Sequence, residues 1–116
     1  MRWVWVMEAG LPIPLVNRSI CDGEGTLLGE PDLLDDEAGL VGEFDGSGHR
    51  EIRQHTADNI REEFFENLGL EVVRATSIDL WQRRPELVQR IQAKYARGLA
   101  RDRSRDGFFV VSLGAP

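Results

Sequence analysis

With a single cysteine, Cys21, the chain can form no internal disulfide. That points to a reducing compartment, so a cytoplasmic location is expected. Cys21 itself reads as a small buried side chain. No apolar run approaches about eighteen residues, so no segment reads as a membrane-crossing helix. The opening MRWVWVMEAG is too short an apolar run for a signal peptide. There is no internal repeat and no low-complexity segment. An excess of positive charge is also missing. The net charge of −6 argues against strong non-specific binding to nucleic acid.

What is present describes one ordinary globular domain spanning 1–116, 41% hydrophobic and 29% charged. The charge is unevenly placed. Residues 1–50 hold three Arg against ten Asp/Glu, whereas residues 81–105 hold eight Lys/Arg against two acids. Arg90, Lys94, Arg97 and Arg101 recur at spacings of four, three and four, which makes one helical stripe. Such a stripe is either a solvated face or a phosphate-facing one.

Residues 1–9 read as the last turns of a helix, with Trp3, Val4, Val6 and Met7 apolar, ended by the prolines of GLPIP (10–14). LVNRSICD (15–22), TLLGEPDLLD (26–35) and LVGEFD (40–45) read as three strands of an antiparallel meander, with Pro31 marking an edge or bulge. The glycine-rich GSGH (46–49) leads into a helix over about 51–68. Its expected buried face is Ile52, Ala57, Ile60, Phe64 and Leu68, and Gly69 is its expected terminal cap. LEVVRAT (70–76) is a fourth strand, and Ser77 is placed to cap a short turn through IDLW. Pro85 opens another helix, with Leu87, Val88, Ile91, Tyr95 and Leu99 on one side. FFVVSL (108–113) is a last strand or an extended tail. Trp81 reads as a core or groove anchor and His55 as a helix-surface residue. The order gives a mixed α/β domain.

The stretch LLGEPDLLDDEAGLVGEFDGSGHR carries the chemistry. Side chains alternate along a strand, so Glu43 and Asp45 share a face. If Asp36 and Glu37 form a two-residue hairpin tip, Asp32 pairs with Val41 and Glu30 with Glu43. Asp32, Glu43 and Asp45 then point the same way, joined by Glu30, whereas a one-residue slip turns Asp32 away. Gathered carboxylates need cations, either arginines or a metal ion, and magnesium takes oxygen ligands. Acids in a solvated hairpin need neither. His49, four residues after Asp45, suits a ligand, a proton carrier or a phosphate contact.

From PDLLD through GLVGEFDGSGHR to DNIREEFFENLGLEVVRAT, the chain resembles the PD-(D/E)XK nuclease superfamily. The resemblance is to the branch similar to very-short-patch-repair endonucleases, and it runs from about Leu11 to Leu99. It implies a restriction endonuclease-like fold, a mixed central sheet of a three-stranded meander, helix, strand and helix, flanked by helices. It also implies a metal-dependent endonuclease hydrolysing DNA phosphodiesters with Mg2+ or Mn2+. Asp32 matches the metal-binding Asp after proline. Glu43 and Asp45 match the acid-X-Lys strand, with Asp45 in the lysine position. On this resemblance Asp32, Glu43 and Asp45 hold metal and His49 assists. Arg61 and Arg74 match the helix and strand arginines, which equally suit plain ion pairs with the cluster. Arg50, Arg61, Arg90, Lys94, Arg97 and Arg101 are the expected DNA contacts. The first helix is shorter than in relatives and leaves Glu8 as its acid. A catalytically impaired module that binds nucleic acid or a protein partner is the alternative, in a toxin–antitoxin or phage-defence setting. A homodimer or partner protein is expected for cutting both strands.

Overall fold

A computed structural model describes residues 1–45 and 52–112, with side chains from residue 60 onward in the helix that begins at Ile52. It is an α/β protein with two sheets. The larger has the order β1 (Leu15–Val16), β4 (Leu33–Asp35), β5 (Leu40–Asp45), β6 (Glu71–Thr76). Its first two pairings are antiparallel, and β5 and β6 run parallel. A parallel pair needs a long crossover, supplied here by α1 (Ile52–Asn67). The smaller sheet has the order β3 (Leu27–Gly29), β2 (Ile20–Cys21), β7 (Phe109–Val110). Two further helices follow β6, α2 (Ser77–Trp81) and α3 (Arg84–Leu99).

The expected meander is therefore bent. Its first two strands each break, so their outer ends join the larger sheet and their inner ends join the smaller. The first break falls after Val16, where Asn17 takes a left-handed backbone at φ 51°. The second falls at Pro31, which has no N–H for a ladder. The expected last strand is real but short, and it pairs with β2.

Adjacent residues in the strands serve opposite faces of the larger sheet. Leu33, Leu40, Val73 and Ala75 pack with Trp5, Leu87 and Ile91 on one face. Leu34, Val41 and Val72 pack with Ile20, Phe65 and Phe108 on the other. Fully burying each large apolar side chain contributes about 1.5–3 kcal/mol. The N-terminal segment expected as helix is a π-helix over Val4–Glu8 that drives Trp5 into the first of these clusters.

Two helix faces differ from expectation. In α1, Phe65 is buried, while Ile60 and Phe64 are exposed. The apolar residues of that helix are too scattered for spacing to identify the stripe that meets the sheet. Gly69 does end α1 in a left-handed conformation. In α3, Leu87, Ile91 and Gly98 are buried, while Leu99 is 40% exposed. Thr76, not Ser77, caps α2: its hydroxyl accepts from Asp79 N–H, and the Asp79 carboxylate accepts from Thr76 N–H. Trp81 anchors no core; it is 79% exposed beside the Arg84 guanidinium.

The basic stripe of α3 lies along β6, an edge strand. Glu71 gives its N–H to Gly39 O, so alternate residues Val72 and Arg74 turn their carbonyls to the free edge. Lys94 Nζ donates to Val72 O and Arg90 Nη1 to Arg74 O. Arg97 pairs with Glu71 at 3.6 Å. The stripe thus covers an edge that would otherwise invite another strand.

A Cβ at Gly98 would land on the Ala38 carbonyl oxygen, so α3 meets the β4–β5 turn only because that position is glycine. Gly98→Ala is expected to destabilise the fold by about 2 kcal/mol or more through overpacking, read from the midpoint of urea unfolding.

Candidate functional site

The β4–β5 register differs from the two-residue hairpin, and the difference brings Asp32 opposite Glu43 without gathering the whole expected cluster. Leu33 pairs with Gly42, Leu34 with Val41 and Asp35 with Leu40, so four residues, Asp36 to Gly39, make the turn. Asp35 accepts the Ala38 N–H at 2.9 Å, and Gly39 closes the turn at φ 64°. The slip is two residues, so the parity of the faces survives. Extended by one step, the register places Asp32 opposite Glu43 rather than Val41.

One step further, Pro31 falls opposite Phe44 and the ladder ends. The Phe44 N–H donates instead to Asp32 Oδ2 at 2.8 Å. Asp32 therefore has a structural task, replacing a ladder bond that proline breaks off. The cue in the sequence was Pro31, read for its effect on strand continuity and not for the N–H it leaves on the neighbouring strand. Asp32 also lines an open depression of about 430 Å3 with Arg2, Asn17 and Phe44. Neither Arg2 nor Asn17 is picked out by spacing, because Arg2 comes from the N-terminal helical segment and Asn17 from the bend after β1.

Glu43 sits at the centre of a row across three strands. Asp32 lies on one side and its register partner Arg74 on the other. Arg61 reaches it from α1, with Nη2 3.2 Å from Glu43 Oε1. This contact is an ion pair by distance alone. Glu43 Oε1 is buried, and among the described residues no donor meets it with hydrogen-bond geometry. The guanidinium rests over the Phe65 ring, 5.2 Å from its centroid. It also lies against Gly29, where a Cβ would come within 3.1 Å of Arg61 Nη2.

Burial pushes the Glu43 carboxyl above its ordinary value of 4.5. The Arg61 charge opposes that rise, Asp32 adds to it, and the Asp32 backbone N–H and Arg74 restrain it without cancelling it.

Asp45 is buried at the end of β5, opposite Thr76. Among the described residues, no three of His, Cys, Asp and Glu are grouped to hold one ion. The structure brings Asp32 and Glu43 together, with Arg61 and Arg74, and does not group Asp45 with them. His49 and Arg50 lie outside the described residues, as does the side chain of His55. Glu8 pairs with Arg84 at 3.2 Å. Of the expected stripe, Arg90 on α3 meets Asp79 at 3.4 Å, whereas Arg101 lies past the end of α3, forms a two-point pair with Asp106 and donates to Glu37 O. With the edge contacts of Lys94 and Arg97, all four stripe residues have partners within the chain.

No protein-family model, curated protein or solved structure matches this chain. Among the described residues, no helix is long and apolar enough to cross a membrane.

The sign of the Glu43 shift fixes its pH behaviour. A carboxyl raised on folding favours the folded state most below its unfolded value near 4.5, and that contribution declines as pH rises through the raised folded value. A carbon-detected NMR titration is expected to place the Glu43 midpoint above 4.5. Arg61→Gln should raise it further, since it removes the largest opposing charge. An unmoved midpoint in that variant would disprove the electrostatic contact.

Proposed function

We infer that the chain is a metal-dependent phosphodiester hydrolase acting on DNA, with a restriction endonuclease-like arrangement. The observation that carries this reading is the facing pair Asp32 and Glu43 at the end of β4 and β5, with Arg61 and Arg74 beside it. The strand order supports it: an antiparallel arrangement, a crossover helix, and a parallel strand whose arginine meets the acid of the preceding one.

The residues fit a hard divalent cation. Among the described residues Glu43 Oε1 is a buried acceptor without a hydrogen bond, and Asp32 keeps a second oxygen besides the one holding Phe44 N–H. Magnesium takes one or two carboxylates with waters, so this pair is enough for Mg2+ or Mn2+. When bound, the ion would supply Lewis-acid charge to a phosphate and acidify a water. Asp32 and Glu43 hold the oxygen set in place, and Arg74 keeps positive charge next to Glu43. Asp45 and His49 are the remaining candidates for positioning water or moving a proton.

The second reading is a nuclease-like module without catalysis, binding nucleic acid or a protein partner. Its protein-partner form is favoured by the internal engagement of Arg90, Lys94, Arg97 and Arg101, which leaves the expected DNA stripe occupied with the fold.

The enzyme reading predicts cleavage of plasmid DNA in Mn2+, lost in Asp32→Asn. Asparagine keeps an oxygen for Phe44 N–H and removes only the charge, so a folded, inactive D32N isolates the chemistry from the ladder. DNA left intact by the wild-type protein in both Mn2+ and Mg2+ would retire the reading in favour of the binding module.

A further inference from the structure

Arg61 stands on the carboxylate that a metal would need. Its charge lies 3.2 Å from Glu43 Oε1, but the contact lacks hydrogen-bond geometry and leaves that oxygen without a hydrogen bond among the described residues. Strong arginine–carboxylate pairs are directional and often two-pronged. The Arg101–Asp106 pair of the same molecule is of that kind, with Nε and Nη2 each 3.0 Å from one oxygen. Arg61 is held less tightly. Its side chain is 43% exposed, and half-exposed ion pairs contribute little. Its other supports are the face of Phe65 and the bare backbone of Gly29, surfaces across which a guanidinium can slide.

The charges show what such a loose contact permits. Glu43 has negative Asp32 on one side and positive Arg74 on the other. A divalent cation at Glu43 Oε1 would meet the Arg61 guanidinium as a like charge at contact distance, so the two compete for that oxygen. Solvent is open to Arg61 and not to that oxygen.

We propose that Arg61 is a displaceable counter-ion: a divalent cation takes its place on Glu43, and the released guanidinium turns to the phosphate of the bound nucleic acid. This rests on the metal-site reading above and adds to it how the site is regulated. Arg61 is thus a positioning residue in the metal-free protein and a phosphate contact once metal is bound.

Two measurements test this. In calorimetry with Mn2+ alone, Arg61→Gln should bind about tenfold more tightly than the wild-type protein, the scale of one partly exposed charge contact. Arg61→Lys, which keeps the charge, should stay near wild type. In NMR of the wild-type protein titrated with Mg2+, the Arg61 Nε–H resonance should move along the same saturation curve as the Glu43 amide. Equal or weaker Mn2+ binding by a folded R61Q overturns the proposal while leaving the metal site standing. So does a Glu43 amide that responds to Mg2+ while Arg61 Nε–H stays still. Absence of Mn2+ binding by both wild type and R61Q overturns the metal site and the proposal together.

Discussion

The turn from Asp35 to Gly39 fixes the register on which everything at the site depends. Asp35, buried, folds its carboxylate back on the Ala38 N–H, and Gly39 supplies the left-handed step. Gly98 presses on Ala38, and Arg101 and Arg103 both donate to Glu37 O. The turn is therefore clamped from inside and outside. A slip of one residue would turn Asp32 away from Glu43 and carry the apolar residues of β4 to the wrong faces. The same clamp that joins α3 to the sheet aligns two carboxylates about five positions away.

How much of this was legible follows from which signals are local. Strand alternation is a local property, so the shared face of Asp32 and Glu43 survived an error of two residues in the turn. Loop length is not legible in that alternation, because a two-residue tip and a four-residue turn give the same parity. The bend of the hairpin was not legible, since Asn17 and Pro31 announce a break without saying which sheet each half will join. In α1 the stripe was misplaced for a different reason. Ile60 and Phe64 match helical spacing as well as Phe65 does, and only the position of the sheet decides that Phe65 is buried. Thr76 and Ser77 are both capping residues, and the end of β6 chooses between them.

The chain's cations show a related division. Lys94 is its sole lysine, and it donates to the edge of β6. Every other fixed cation is arginine, and arginine suits contacts that need several donors at once. Arg101 shows that use fully, bridging Asp106, Gly98 O and Glu37 O while lying over Phe108. Backbone carbonyls at a sheet edge attract cations as carboxylates do, and spacing along a helix does not reveal that edge.

The small sheet has a consequence for the order in which the protein assembles. Ile20 pairs with Val110, ninety positions along the chain, whereas the β4–β5 turn closes over four. Closing a longer loop loses more entropy, and a growing chain offers its early segments first. All four strands of the larger sheet leave the ribosome before Phe109 does. The β2–β7 pairing therefore closes a far longer loop, at a larger entropy cost, than the turn that brings the facing acids of β4 and β5 together.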